Sequence, residues 1–427
     1  LFYQKQKKEK EGKNTQKYKS SKNDINLWKE FCTMEQPIVV EKEEINTKEI
    51  EEKTIKHWDD FDIKPDLLRG IYSYGFEAPS EIQKKAILPL ITGQDIIAQA
   101  QSGSGKTGTF TIGTLQLIDV RLPKTQAVIM APTHELARQI TAVISGIGNH
   151  MSGLVIKTLI GGTSVQQDGE DMKKNTPHIV IGCAGRIFDM MKRNFLNASH
   201  IRLFVLDEAD EMLSQGFNEQ IQNIFQFFNE NIQVALFSAT MPDEIVTMTQ
   251  KFMRSPVKIM MKKEELNLEC IQQYFVAVEN DHSKYDTLKD IFAMISVNQC
   301  IIYCNSVRRV TELFAAMTNE GFSVCAIHSG MEKGEREKMF LRFRNGGFRV
   351  LISSNVTARG IDIQQVSTVI NFDIPNCVHT YLHRIGRSGR WGRKGLAINF
   401  VTKHDVGQLK RIETYYKIDV AELPASF

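Results

Sequence analysis

From about Ile55 onward, short apolar runs alternate with longer stretches whose apolar residues recur at helical spacing. A first series of candidate strands comprises Asp95–Gln99, Ala127–Met130, Val155–Ile160, His178–Ile181, Leu203–Leu206 and Val234–Phe237. The rhythm pauses at the charged stretch Lys262-Lys263-Glu264-Glu265-Leu266-Asn267, then resumes with Gln273–Val278, Cys300–Tyr303, Val324–Ile327, Arg349–Ile352, Thr368–Asn371 and Leu396–Val401. Alternation of this kind is the pattern of βαβ units. It predicts an α/β protein with two mainly parallel sheets flanked by helices, over residues 55–261 and 271–427, joined by a flexible linker at 262–270. Strands this apolar read as covered on both faces.

The first 54 residues break the pattern. Lys5, Lys7, Lys8, Lys10, Lys13, Lys17, Lys19 and Lys22 meet only Glu9 and Glu11 nearby, and such a segment buries too little apolar area to offset its ordering entropy. A disordered, basic leader without a catalytic role is expected. The chain opens on Leu1 and its first methionine is Met34, so part of this leader is expected to be processed, incomplete or foreign to the original protein.

Composition narrows the class only slightly. At 427 residues the chain exceeds what one core usually serves, and its 42% hydrophobic content and net charge of +3 neither demand nor exclude a polyanionic partner. The seven cysteines are odd in number and form no Cys-x-x-Cys pair, which argues for buried thiols in a reducing compartment. With no apolar run long enough to span a membrane and no signal peptide, the expected location is the cytoplasm, with the nucleus as the alternative.

The chemistry is concentrated in two motifs about one hundred residues apart. Ala100-Gln101-Ser102-Gly103-Ser104-Gly105-Lys106-Thr107 follows a candidate strand and leads into a helix. That context suits a phosphate loop: glycines let backbone N–H groups converge on phosphate oxygens at a helix N-terminus. Ser102, Gly103, Ser104 and Gly105 form the cradle, Lys106 is expected to reach the β- and γ-phosphates, and the Thr107 hydroxyl to sit on Mg²⁺. Ala100 replaces the first glycine of the usual pattern, and the plainer reading is a glycine-rich turn. Downstream, Leu203-Phe204-Val205-Leu206 ends in Asp207-Glu208-Ala209-Asp210, at the strand end where open α/β sheets place ligands. Asp207 is expected to hold Mg²⁺ through water, and Glu208 to polarise the attacking water.

At these residues the chain resembles the DEAD-box RNA helicases, from about Trp58 to Pro424. The resemblance implies two tandem RecA-like domains that bind ATP between them. Gly75-Phe76-Glu77-Ala78-Pro79-Ser80-Glu81-Ile82-Gln83 is similar to the family's Q motif, in which Gln83 would read the adenine edge and Phe76 pack on its ring; Trp58 takes the place of the isolated upstream aromatic. Without the family, Phe76 would pass as a core residue and Gln83 as a surface one. Ser238-Ala239-Thr240 resembles the motif coupling hydrolysis to strand separation, its hydroxyls bonding near Asp207 and Asp210. His383-Arg384-Ile385-Gly386-Arg387-Ser388-Gly389-Arg390 resembles the arginine-finger motif, with His383 in a coupling role and Arg387 and Arg390 reaching the γ-phosphate. Trp391 would close over adenine and Asp362 contact the ribose. Family-like candidates for the RNA track are Pro132, Thr133, Gly161, Gly162, Gly185, Arg186, Asn305, Arg336 and Ser354.

The RNA-facing motifs depart from the family more than the ATP-facing ones. His134 stands where the family has arginine, Cys183-Ala184 where it has Thr-Pro, Ser329-Gly330 where it has Gly-Asp, and Asn355 where it has aspartate. Each loss of a charged contact costs about 1 kcal/mol or more. Helicase activity below that of a typical relative is therefore expected, with His134→Arg and Asn355→Asp raising RNA-stimulated turnover.

The resemblance implies an RNA-stimulated ATPase that uses ATP and Mg²⁺ for non-processive, local unwinding of RNA duplexes in translation initiation. ATP and a single strand or short duplex of RNA would together draw the domains closed, with low sequence preference. The alternative is an ATP-gated RNA clamp of the exon-junction type with little net unwinding. A metabolic phosphate-loop enzyme offers no role for Arg387 and Arg390. Implied protein partners are a scaffold that staples both domains and an inhibitor that blocks closure. A monomer with no membrane association is expected.

Overall fold

The computed structural model describes residues 55–101, 103–214, 216–241, 243–260, 271–294, 299–357, 365–388 and 394–424. The expected leader and linker lie outside them. Strands β1 (Ile96–Gln99), β2 (Ala127–Met130), β3 (Ile156–Leu159), β4 (Ile179–Gly182), β5 (Leu203–Asp207), β6 (Gln233–Ser238) and β7 (Val257–Met260) form one sheet in the order β3-β4-β2-β5-β6-β1-β7. A second sheet is built from β8 (Ile271–Ala277), β9 (Cys300–Tyr303), β10 (Val324–Ile327), β11 (Val350–Ser353), β12 (Thr368–Asn371), β13 (Gly395–Val401) and β14 (Ala421–Glu422), in the order β10-β11-β9-β12-β13-β8-β14. Every pairing in both sheets is parallel.

The central strands β2, β4, β5, β6, β9, β11 and β12 are buried at every residue, as their unbroken apolar character requires. Each face of the first sheet carries its own core: Phe110, Ile129, Ile140 and Phe237 on one side, Val128, Ile187, Phe204 and Leu236 on the other. The expected strands are present with ends moved by a residue or two. The sequence reading omitted β7 and β14, both edge strands; β7 is four residues long with only Ile259 buried, and β14 has only two residues, both exposed.

Local polar residues set where the helices start. The Thr133 hydroxyl accepts from Leu136 N–H at the head of helix His134–Ile147, and Ser306 accepts from Arg309 N–H at the head of Val307–Asn319. Because all strands run parallel, these helix starts and the strand ends that feed them lie along one edge of each sheet.

Candidate active site and RNA track

The phosphate loop turns sharply after β1. Gly103 and Gly105 adopt φ of 84° and 103°, a left-handed backbone that glycine takes without steric cost. The loop packs directly on the Q motif: a Cβ on Gly105 would come within 2.6 Å of Ser80 Oγ, and one on Gly108 within 2.6 Å of Gln83 Nε2. Ser80 Oγ donates to the Ser104 carbonyl (2.8 Å) and Gln83 Nε2 to the Gly105 carbonyl (3.3 Å), while Gln83 Oε1 accepts from Ser80 N–H (2.7 Å). Gln83 is thus buried, contrary to the plain surface reading. Phe76 stacks on Trp58, whose indole N–H donates to the Phe76 carbonyl at 3.0 Å. Trp58 is wholly buried and fixes the Q motif from behind.

Lys106 begins helix Lys106–Leu117, and its Nζ donates to the Ala100 carbonyl at 2.6 Å. Thr107 follows it, partly exposed. Ala100 N–H in turn donates to the Ser238 carbonyl, and Gln99 Nε2 to the Ala239 carbonyl, so the loop is joined to the end of β6. Asp207 ends β5, fully buried, and Glu208 follows it with φ of 50°, a strained backbone for a non-glycine residue. Burial, then the neighbouring Glu208 charge, pushes the Asp207 carboxyl up to about 7 against the pull of Lys106. Glu208 Oε2 is buried with no protein hydrogen-bond partner among the described residues.

The residues expected to couple hydrolysis to strand separation meet at Asp210. Thr240 Oγ1 donates to Asp210 Oδ2 (2.6 Å), Asp210 N–H donates to Ser238 Oγ (3.4 Å), and His383 Nε2 lies 3.0 Å from the same Asp210 oxygen. His383 comes from the second sheet's side of the chain, on helix Val378–Ile385. It brings Arg387 with it: Arg387 is buried, and its Nε donates to the His383 carbonyl at 3.1 Å. Buried donors of Glu208, Asp210 and His383 lie within 4.8 Å of one another. Since His383 and Asp210 are bonded together, that group is engaged within the protein, and Thr107 and Asp207 remain the expected metal side. Ser102, Asp362, Arg390 and Trp391 lie outside the described residues.

The candidate RNA residues fall into two kinds. Pro132, Thr133, Gly161 and Gly162 sit in the segments after β2 and β3, and Gly185 in the first turn of helix Ala184–Lys192 after β4, with Gly162 and Gly185 exposed. Arg186, Arg336 and Asn305 are engaged within the protein. Arg186 donates to Asp168 Oδ2 and Thr163 Oγ1, both at 2.6 Å, and Arg336 Nε donates to Glu135 Oε1 at 2.7 Å. Asn305 Oδ1 accepts from Arg384 and its Nδ2 donates to the Ile374 carbonyl. Ser354 is buried. Sequence reasoning missed Glu135, Thr163 and Asp168, the acceptors that hold these arginines. Glu135 lies 201 positions from Arg336, and no local pattern signals a pair so far apart. A second contact of this kind joins Arg138 to Glu337.

Two of the departures resolve differently. Asn355 Oδ1 accepts from both Arg384 Nε (3.0 Å) and Nη2 (2.7 Å), so its side chain serves a buried arginine. His134 instead meets the candidate RNA loop, its Nε2 accepting from Gly161 N–H at 3.2 Å.

Comparison with known proteins accounts for this arrangement. Residues 80–248 match the DEAD/DEAH box helicase family and residues 283–392 the helicase conserved C-terminal domain. The chain is 50% identical to Eukaryotic initiation factor 4A of Caenorhabditis elegans over 375 residues, covering 88% of this chain and 93% of that one. It is 50% identical to the ATP-dependent RNA helicase eIF4A of Neurospora crassa over 373 residues, covering 87% and 94%. Among solved structures, Dbp5 of S. cerevisiae bound to RNA and ADP BeF3 superimposes with a TM-score of 0.80 at 33% identity, over 86% of this chain and 96% of that one. With both family domains in order and half of the aligned residues shared with these relatives, the chain belongs to the DEAD-box helicases.

Proposed function

We propose that this protein is an ATP-dependent RNA helicase of the initiation-factor 4A type, which couples ATP hydrolysis to local, non-processive unwinding in translation initiation. The observation that carries the reading is the 3.0 Å contact between His383 and Asp210, 173 positions apart. It supports reading the motif that begins on helix Val378–Ile385 as an arginine finger set against the acidic motif after β5. Arg387 is then poised to reach the terminal phosphate held by Lys106 and the Ser102–Thr107 loop, with Arg390 as the second finger. Gln83 and Phe76 select adenine, Asp362 holds the ribose and Trp391 covers the base.

The acidic site suits Mg²⁺. Asp207 is a buried carboxyl whose ionisation is opposed by burial and by Glu208, and a divalent cation relieves both costs. Thr107 and Asp207 would hold the ion, which would neutralise phosphate charge. Glu208 orients the attacking water, and the Asp210–Thr240–Ser238–His383 contacts pass closure between the nucleotide and the RNA track. RNA is gripped along its backbone by Thr133, Gly161, Gly162 and Gly185, while Asn305, whose amide is engaged by Arg384 and the Ile374 carbonyl, and the buried Ser354 belong to the frame beneath. Arg186 and Arg336 brace those turns from within. A scaffold protein that holds both domains and an inhibitor that parts them are the partners this reading implies, for a monomer acting in the cytoplasm. Among the described residues no helix is long and apolar enough to cross a membrane.

The relatives compared above carry the initiation-factor name, which favours unwinding over clamping. The test is ATP turnover titrated with single-stranded RNA, beside unwinding of a short duplex. Turnover rising with RNA together with duplex melting is expected. Turnover indifferent to RNA would overturn the helicase reading, and RNA retention without melting would favour the clamp.

A further inference from the structure

We infer that Asn371, Asn399 and Tyr381 are positioning residues for the arginine finger: they form a buried clamp that fixes helix Val378–Ile385, and through it Arg387. The inference rests on the helicase reading and deepens it. Asn371 and Asn399 stand side by side at matched positions of the parallel strands β12 and β13, and both are wholly buried. Their chain neighbours Ile370, Phe372, Ile398 and Phe400 are apolar core residues. A leucine would fill the same space, and a buried amide is costly unless each polar atom finds a partner. Here the partners form one directed series. Arg384 Nη1 donates to Asn371 Oδ1 (3.2 Å), Asn371 Nδ2 to Asn399 Oδ1 (2.8 Å), Asn399 Nδ2 to Tyr381 Oη (3.2 Å), and Tyr381 O–H to Gln273 Oε1 (2.8 Å). Asn399 Nδ2 also donates to the Tyr274 carbonyl at 3.0 Å.

The series begins and ends on the same helix. Tyr381 and Arg384 are three residues apart, so both leave one side of the helix, and each is wholly buried. Two anchors one turn apart hold the helix against rotation as well as sliding; a single anchor would let it turn about the contact. Arg387 comes one turn further on. Its backbone N–H donates to the Arg384 carbonyl (3.1 Å) and its Nε to the His383 carbonyl (3.1 Å), so the base of the finger moves with Arg384. The cation at the head of the series orients every amide after it, because turning either asparagine over would set donor against donor. Burial pushes the ionisation of the Tyr381 phenol up, so its donation to Gln273 persists at neutral pH. A finger acts through geometry, and a misplacement of about 1 Å costs about 10²-fold in rate.

The test is RNA-stimulated ATP hydrolysis by the full chain in two variants. Tyr381→Phe keeps the ring and removes one link; Asn371→Leu with Asn399→Leu replaces both amides by apolar groups of similar volume. In these variants kcat should fall about 10-fold and about 30-fold, with KM for ATP within about 2-fold of native, because Lys106 and its loop are untouched. Tyr381→Phe retains the packing, so it carries the test should the double variant fail to fold. Adding Arg387→Ala separates positioning from general weakening. In that background, followed by single-turnover hydrolysis, Tyr381→Phe should cause no further loss, since its effect passes through the finger. An equal loss with and without Arg387, or native kcat in both variants, would overturn the inference and leave the helicase reading intact. Native turnover in Arg387→Ala alone would remove the finger and the inference with it, and native turnover indifferent to RNA would remove the helicase reading.

Discussion

The two sheets share one strand order, so β1 and β8, β5 and β12, and β6 and β13 occupy equivalent places, yet only the first retains a phosphate loop. Each has a lysine in the first turn of the helix that follows the equivalent strand: Lys106 after β1 and Lys284 after β8. Around Lys106 the turn is made by glycines, and Nζ is held by a backbone carbonyl. Lys284 is as buried, but its Nζ binds two carboxylates, Asp281 at 2.9 Å and Asp373 at 3.1 Å. Asp373 lies just beyond β12, where Asp207 and Glu208 lie at and beyond the end of β5. The loop after β8, Glu279-Asn280-Asp281-His282, contains no glycine, and Asn280 Oδ1 accepts from the N–H groups of His282 and Ser283. The helix-start donors that a phosphate would need are thus satisfied internally. A buried lysine at a helix start becomes a ligand site or a structural ion pair according to what its neighbours leave unneutralised.

If the second lobe acts on the nucleotide through its arginine-finger helix and not through its own strand-end loop, Arg387→Ala and Lys284→Ala should fail in different ways. Arg387→Ala should lower RNA-stimulated kcat by about 10³- to 10⁵-fold with ATP affinity little changed, measured by single-turnover hydrolysis. Comparable rates in native and Arg387→Ala proteins would remove the finger from the mechanism. Lys284→Ala leaves Asp373 buried without its main counter-ion and should destabilise the protein by about 3–5 kcal/mol, read from the urea midpoint. Adding Asp373→Asn should recover part of that loss. Loss of nucleotide binding in a Lys284 variant that still folds would show that the second loop is a ligand site after all.

Legibility in the sequence followed this contrast. The strands buried on both faces could be read as apolar runs, and edge strands β7 and β14 could not, because half-exposed or two-residue segments carry little pattern. The candidate phosphate loop and Asp207-Glu208 stand out in the sequence because glycines and carboxylates at fixed spacing have few other uses. What the sequence hid was pairing over distance. That Arg186 and Arg336 brace the protein, and that Asn355 faces Arg384, follows from acceptors contributed by separate elements. His134 and Asn355 looked alike as departures on the RNA side, and only their three-dimensional partners separate them.

The acidic end of β5 offers a trade between stability and chemistry. Asp207 has its native ionisation raised to about 7, above the ordinary value near 4, so the native state holds more protons than the unfolded state between those pH values. Its contribution is fully present below about pH 4 and lost as pH rises through about 7. In nucleotide- and Mg²⁺-free protein, Asp207→Asn should therefore add stability at pH 8, on the order of 2 kcal/mol, and little at pH 4, while hydrolysis is lost. Thermal melts across this range would check it; a stability gain that is independent of pH would rule out Asp207 ionisation as the cause.

The smallest expected effect concerns the guanidinium behind the fingers. Arg384 is fully buried, three residues before Arg387, and its acceptors are the side-chain carbonyls of Asn305, Asn355 and Asn371 and the Asp373 backbone carbonyl. Burial lowers its ionisation to about 10, still far above neutral pH, so a cation is held mainly by neutral dipoles. Replacing Asn355 with aspartate supplies a charged acceptor at the same two nitrogens. The gain is limited because Asn355 stands at the surface, where solvent screens the pair. Asn355→Asp should raise stability by about 1 kcal/mol, with RNA affinity moving less than in His134→Arg. A double variant with Arg384→Met should lose the gain, since the carboxylate then has no partner. If Asn355→Asp instead tightens RNA binding as much as His134→Arg does, its side chain belongs to the RNA track and not to the frame beneath it.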